Sequence, residues 1–354
     1  MPSAGHELSV GIAGYGVVGR IRHRFVDQHP ALRVAAVCDR EFREAAVLDG
    51  GVRCFATHEQ LLDEPLDALF VCLPTYLAAE VTIAGLERGL HVFCEKPPAR
   101  DPAEVALVRE HERQRPAQKL KYGFNHRYHH SVREALHIIR SGELGELIDL
   151  RGVYGKSAII AFGSSDWRSQ RAVAGGGILL DQGIHMVDMM RLFAGDFCEV
   201  HSYVSNGFWN HDVEDNAYAL MRTGGGVVAL LHSSATQWRH RFNLDITLTR
   251  GAIALSGILS SSKSYGAETI TVVYAGENDQ GDPREQMTRY NEDNSWRDEV
   301  FDFADAILGD KEIVSGSSLE ALKTMELVYR IYCADEEWAS RYDLHDSLRA
   351  ESRE

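Results

Sequence analysis

Two short stretches of the chain carry residue types that could do acid–base chemistry, and a third could hold a phosphate. The first is Cys94-Glu95-Lys96-Pro97-Pro98, which follows the apolar run His91-Val92-Phe93. That run reads as the end of a buried strand, and in open α/β sheets ligands collect just outside the carboxyl ends of the strands. A lysine there could reach a cofactor and a substrate together. The bland alternative for Lys96 is a surface lysine on a turn stiffened by prolines. The second stretch is Gly175-Gly176-Gly177, followed by Asp181, His185 and Asp188. If the chain is helical from Asp181, then Asp181 and His185 stand at i and i+4 and share a face. A carboxylate that orients an imidazole is a ready general acid/base unit, with Asp188 as a support. A solvated pair is the alternative, but the glycine run implies that the backbone comes close to something.

The third stretch is Gly14-Tyr15-Gly16-Val17-Val18-Gly19, between the apolar run Leu8 to Ala13 and a helical pattern through Gln28. In such a turn Gly14 permits the bend, Gly16 lets the backbone approach a pyrophosphate, and Gly19 lets helix and strand pack. Val17 and Val18 then open a helix whose N–H groups and positive dipole end face the phosphates. Asp39 ends the next strand, 20 residues after Gly19, where a ribose-binding acid is expected. It favours NAD over NADP. Arg40 keeps NADP open, because it could stack on adenine or pair with a 2′-phosphate. The alternative for Asp39 is a helix cap.

The elements that must place these residues alternate. Strands are expected at 33–38, 52–55, 66–73, 91–94 and 120–123, with helices at 57–62, 77–88 and 102–113 between them. This pattern predicts a doubly wound parallel sheet that binds a dinucleotide. After Gly123 the pattern changes. Asn125, Arg127 and Tyr128 are expected to line a pocket, whereas the nearby histidines lack the spacing of a metal site. A helix is expected at 132–140 and a strand at 147–154. A flexible region at 155–173 holds Trp167 and Arg168, a pair suited to a sugar face and an anionic group. Candidate strands at 216–221, 227–231, 244–249, 252–255 and 269–274 imply a large, mostly antiparallel open sheet. Residues 276–291 are expected to form a loop, and 296–308 and 318–339 amphipathic helices. The fold class expected is α/β: a dinucleotide-binding domain at 1–124, an α+β domain for substrate and self-association at 125–340, and a charged tail at 341–354.

The formal net charge of −15 argues against nucleic acid or an anionic membrane as partner. No apolar run approaches the roughly 18 residues of a membrane span, and residues 1–7 lack the features of a secretory signal. The six scattered cysteines are read as reduced, buried hydrophobes in a cytoplasmic protein.

Taken together, these motifs resemble the Gfo/Idh/MocA oxidoreductases, over most of the chain from about Ser9 to Ala339. The resemblance rests on the turn Gly14–Gly19, on Glu95-Lys96-Pro97, and on the glycine run through Asp181, His185 and Asp188. It implies a Rossmann domain followed by a domain with an open sheet used for homodimer or homotetramer contacts. It implies that Leu73, Pro74 and Thr75 run beside the cofactor with Glu95 and Lys96, although Tyr76 stands where the family often has Asn and then His. It also implies that Lys96, Asn125, Arg127, Tyr128, Trp167, Arg168, Asp181 and His185 meet the substrate, a sugar, cyclitol or nucleotide-sugar. On this reading Lys96, Asp181 and His185 are catalytic. His185 takes the hydroxyl proton, Lys96 stabilises charge on the oxygen, and hydride passes to the nicotinamide. Lys96 and His185, from separate halves of the chain, are expected to converge over one nicotinamide ring. Two alternatives stay open: transient sugar oxidation followed by elimination, hydrolysis or epimerisation, and a non-catalytic NAD(H)-binding sensor.

Overall fold

The computed structural model describes residues 7–43, 46–158, 166–260, 265–276 and 280–345. The chain divides into two compact units. One holds residues up to Asn125 together with Asn294–Leu322; the other holds His126–Asp293 and the chain from Lys323 onward. The contiguous division at 124/125 expected from sequence therefore lacks the return of 294–322 to the first unit.

In the first unit the elements are β1 (Leu8–Ala13), α1 (Val17–Val26), β2 (Leu32–Cys38), β3 (Ala46–Val47), β4 (Arg53–Phe55), α2 (His58–Leu62), β5 (Ala68–Val71), α3 (Thr75–Glu87), β6 (His91–Glu95), α4 (Pro102–Arg113) and β7 (Leu120–Gly123). The strands form one sheet in the order β3-β4-β2-β1-β5-β6-β7. Every pairing is parallel except that of the two-residue β3 with β4. Strands covered on both faces read as unbroken apolar runs, and β5 is buried at all four positions. Asp101 caps α4 by accepting a bond from the Glu104 N–H at 2.9 Å, with Pro102 just inside the helix.

The returning segment explains why the first unit is discontinuous. It carries a helix, Ser295–Leu308, whose Val300, Phe303 and Ala304 join the core with Val10, Ile12, Phe70 and Phe93. Phe70 and Phe93 stack at 4.9 Å, and Phe303 meets both edge-on at 5.8 and 5.6 Å. The amphipathic pattern at 296–308 was legible, but nothing local to it named the sheet it covers.

The second unit adds α5 (His130–Ser141), β8 (Leu147–Ser157), α6 (Arg171–Ala174), α7 (Ile184–Ala194), β9 (Phe197–Ser205), β10 (Asn216–Thr223), β11 (Val228–Gln237), β12 (Arg241–Leu248), β13 (Gly251–Ser256), β14 (Glu268–Tyr274) and β15 (Arg284–Tyr290). Next along the chain comes the returning helix, α8 (Ser295–Leu308), and then α9 (Ser318–Ala334) and α10 (Glu336–Tyr342). The eight strands form a sheet in the order β15-β14-β13-β12-β8-β11-β10-β9. Among the described residues only β8 and β11 pair in parallel in this sheet. Alternate residues point to opposite faces. One face packs under α7, and Gly152 of β8 leaves room for Met186 and Met190, which an added Cβ would meet within 2.9 Å. The other face exposes Tyr203, Tyr218, Leu220 and Leu230.

Several expectations need correction. The loop expected at 276–291 contains β15, paired with β14. Its residues are exposed or only half-buried, so this edge strand offers no apolar period to read. The single helix expected at 318–339 breaks at Asp335, whose carboxylate accepts from the Trp338 N–H at 2.9 Å and the Val204 N–H at 2.7 Å. The region 155–173, expected to be flexible, is part strand to Ser157 and part helical turns from Trp167; residues 159–165 lie outside the described residues. Against the expectation that all six cysteines are buried, Cys198 is exposed and Cys72 and Cys333 are half-buried; none of the six is in a disulfide. The tail expected from 341 begins inside α10, and 346–354 lie outside the described residues. Among the described residues no helix is long and apolar enough to cross a membrane.

Candidate active site

The glycine turn is built by steric exclusion. Gly14 has φ +92°, and a Cβ there would sit 2.4 Å from the Cys72 carbonyl oxygen. The backbone of Cys72, and with it Leu73-Pro74-Thr75, is thereby brought against the turn. Gly19 faces the Gly14 carbonyl oxygen, 2.0 Å from where its Cβ would stand. Gly16 differs, because a Cβ there would meet nothing within 4 Å among the described residues. No side chain caps the N-terminus of α1, so its first N–H groups are left without an intrahelical partner. An open approach and uncapped donors at a positive helix end are what a pyrophosphate requires. Val17 is exposed there, and Thr75 is buried at the start of α3 behind Pro74. Asp39 accepts bonds from the Tyr15 N–H at 2.9 Å and the Glu41 N–H at 3.2 Å. Its carboxylate has further acceptor sites for ribose hydroxyls. Arg40 is exposed beside it. The residues present fit a bound NAD.

Lys96 stands half-buried at the carboxyl end of β6, where a cis peptide joins it to Pro97. The residue before it is fixed from behind: Glu95 Oε1 accepts from Arg22 Nε at 2.6 Å. Glu95 therefore shapes the strand end, and its carboxylate is engaged by this chain.

In the second unit the glycine run approaches a buried carboxylate. Glu214 accepts from the Gly177 N–H at 2.7 Å, the Leu179 N–H at 2.9 Å and the Tyr332 hydroxyl at 2.7 Å. Burial raises its pKa, against the pull of these donors. A Cβ on Gly177 would lie 2.2 Å from the Glu214 carbonyl oxygen, and one on Gly176 would lie 2.3 Å from the Tyr332 hydroxyl. Leu179–Gly183 forms a π-helical turn and α7 follows directly. The regular i, i+4 face expected for Asp181 and His185 is thus interrupted by a wider turn, a feature often found at functional sites. Gly183 brings this turn against β11, since its Cβ would stand 2.4 Å from the Ser233 hydroxyl.

His185 is buried on α7. Its ring stacks on His126 at 3.7 Å with 13° between planes. His126 Nε2 lies 3.0 Å from the Tyr154 hydroxyl, whose pKa burial pushes well up. His129 pairs with Glu268 at 2.8 Å; burial, the largest single influence, pushes the Glu268 pKa up, but the hydrogen bond and charge of His129 together with the bonds from Ser131 hold it below its usual value. Gln182 donates to the Tyr265 hydroxyl at 2.8 Å. Asp181 and Arg168 line one concavity of this unit with Lys156, Trp209 and His211.

The remaining predicted residues also make contacts within the chain. Arg127 gives both arms to Asp188, at 2.7 and 2.6 Å, with both partners buried. Asn125 donates to Ser295 at 3.1 Å. Tyr128 is buried under the Arg133 guanidinium, 5.1 Å from its ring centre. The Arg168 guanidinium covers the Trp167 ring at 4.3 Å. Sequence reasoning missed His126, Tyr154 and Glu214. His126 adjoins residues that were singled out, but Glu214 carried no local signal. Among the described residues no three His, Cys, Asp or Glu side chains are grouped to hold a metal.

Comparison with known proteins agrees with this fold. Residues 8–124 match the model for the oxidoreductase family with an NAD-binding Rossmann fold, and residues 132–254 match the GFO/IDH/MocA C-terminal domain. Levoglucosan dehydrogenase of Pseudarthrobacter phenanthrenivorans is 30% identical over 211 residues, which is 56% of this chain and 54% of that protein. The chain thus spans only about half the length of this relative. D-xylose 1-dehydrogenase (NADP(+)) 2 of Haloferax volcanii is 28% identical over 326 residues, covering 90% of this chain and 95% of that protein. In fold, the chain resembles the structure of levoglucosan dehydrogenase in complex with NADH, with a TM-score of 0.79 at 21% identity over 94% of this chain and 97% of that one. The chain belongs to the GFO/IDH/MocA oxidoreductase family, with its NAD-binding Rossmann fold.

Proposed function

We propose that the protein oxidises a secondary alcohol of a sugar, cyclitol or nucleotide-sugar, or reduces the corresponding ketone. The observation that carries this reading is the concavity of the second unit. Asp181 and Arg168 share its wall with Lys156, Trp209 and His211, a mixture of charged donors and aromatic surface suited to a polyhydroxylated ring. Bound NAD supplies the hydride acceptor. The Gly14–Gly19 turn and the start of α1 would hold the cofactor, with Asp39 on the ribose and Leu73, Pro74 and Thr75 alongside. Asp39 favours NAD, and Arg40 is the residue through which NADP could be accepted.

In this mechanism His185 accepts the hydroxyl proton, and its ring plane is held by the stack on His126. Asp181 orients and charge-stabilises the imidazole. Lys96 donates a hydrogen bond to the same carbinol oxygen and stabilises its developing negative charge. Trp167 and Arg168 border the substrate. Asn125, Arg127 and Tyr128 act through others, Arg127 by fixing Asp188 on the helix of His185. The exposed row of Tyr203, Tyr218, Leu220 and Leu230 supports self-association through the sheet, and six cysteines with no disulfide among them support a cytoplasmic setting.

The test is a screen with NAD and NADP against levoglucosan, D-xylose, inositols and nucleotide-sugars, reading reduced nicotinamide by absorbance. The expected result is net NADH formation with at least one of them. Lys96→Met and His185→Asn are each expected to lose roughly 10²–10⁴ in kcat while NADH still binds. Full turnover in both variants would overturn the assignment.

A further inference from the structure

The first unit buries a charge cluster that the proposed mechanism leaves unused. Arg22, on the helix that begins at the glycine turn, is wholly buried. Its guanidinium donates from Nε to Glu95 and from a terminal nitrogen to Glu299, both at 2.6 Å. The Phe93 and Trp296 rings flank it, each 4.4 Å from the guanidinium carbon. Gly123 leaves room for this arrangement, because a Cβ there would lie 3.0 Å from Glu95 Oε2 and 3.2 Å from Arg22. Sealing such a group away from water costs several kcal/mol per ion in general, so a large core charge needs a reason.

Its connections supply one. Arg22 lies on α1, Glu95 directly precedes Lys96, and Glu299 belongs to the segment that returns to this unit. We propose that Arg22 is a positioning residue: by bridging Glu95 and Glu299 it ties the end of β6, and hence Lys96, to the helix that receives the cofactor pyrophosphate. The inference rests on the reading of Lys96 as a catalytic residue.

One guanidinium lies directly between two carboxylates, so with both ionised the trio carries a net negative charge that the nearby Lys121 ammonium offsets only in part, being shared with Asp302. The groups facing Glu299 are Arg22 from α1, Glu95 from β6 and Lys121 from β7, and Lys121 also donates to Asp302 at 2.8 Å. Cys72 adjoins Arg22, and burial keeps its thiol protonated. Burial moves the Glu299 pKa up to about 7, and among the described residues its Oε1 has no hydrogen-bond partner. Below that pH a neutral Glu299 leaves Arg22 committed to Glu95; above it, Glu299 competes for the same cation.

The test uses the full-length protein saturated with NADH. Hydrogen exchange is read in the peptide spanning Glu95 and Lys96, and NADH affinity by fluorescence. kcat and KM are measured with whichever of levoglucosan and D-xylose is turned over. Arg22→Met risks misfolding, so the isosteric variants Glu95→Gln and Glu299→Gln carry the test. Glu95→Gln should speed exchange at this peptide and lower kcat roughly tenfold or more, with KM and NADH affinity nearly unchanged. In the wild type, protection corrected for intrinsic exchange should fall as pH rises through about 7, and Glu299→Gln should abolish that fall. Wild-type exchange and kcat in Glu95→Gln, with Lys96→Met inactive, would overturn this inference alone. Full turnover in Lys96→Met would overturn the reading of Lys96 and this inference with it.

Discussion

Two glycine-rich segments serve different partners. In the first unit, Gly16 faces open space, and its missing side chain leaves room for a cofactor. In the second unit, a Cβ on Gly176, Gly177 or Gly183 would stand 2.2–2.4 Å from Tyr332, Glu214 or Ser233 respectively. Their missing side chains leave room for the protein itself. A glycine demanded by a ligand is surrounded by emptiness, whereas one demanded by packing is surrounded by atoms. Gly14 and Gly19, inside the cofactor turn, are of the packing kind. The familiar spacing thus mixes two physical causes, and only Gly16 is left to the ligand.

The sharpest way to break this contrast is Gly177→Ala. Its Cβ would press on the backbone of Glu214, so stability should fall by roughly 3 kcal/mol, read as a lower denaturant midpoint. An unchanged midpoint would mean that the glycine run is not there for packing. Gly16→Ala should do the reverse: stability within about 0.5 kcal/mol of wild type, but NADH affinity down about tenfold, or 1.4 kcal/mol. Equal loss of stability in the two variants would erase the distinction.

A smaller effect concerns Glu214, which receives the N–H groups of the glycine run. Its folded pKa lies above its unfolded value because of burial. The fold therefore favours the protonated acid. This contribution is complete below the unfolded pKa, near 4.3, and is lost as pH rises through the folded value. Stability should decline over that window by at most about 1.4 kcal/mol per pH unit. Glu214→Gln should flatten the decline, as read from melting temperature against pH. A persisting slope would assign it to another group.

Local signals reached far in the first unit. β1, the glycine turn and Asp39 follow one another within a few dozen residues, and each step constrains the next. Lys96 was legible because it ends an apolar strand. The second unit was less legible. Its sheet could be expected from alternation, but β15 could not, because a polar edge strand has no buried face to betray it. The π turn under Asp181 was hidden, since hydrophobic pattern does not register one extra residue in a helical turn. Arg127 and Asn125 were read as pocket residues because they are polar beside aromatics, and their partners Asp188 and Ser295 lie 61 and 170 positions away.

The order of residues along the chain was enough to determine the alternating strands and helices, the bend at Gly14, the acid at the end of β2 and the lysine at the end of β6. These depend on steric and periodic rules that act over a few residues. Tertiary structure alone decided that α8 closes the first core, that Glu214 fills the space beside the glycine run, that His126 lies flat on His185, and that Arg22 joins Glu95 to Glu299. These are pairings between distant segments, chosen by burial. A buried charge or ring takes whichever partner the fold brings near, and no local pattern names that partner in advance.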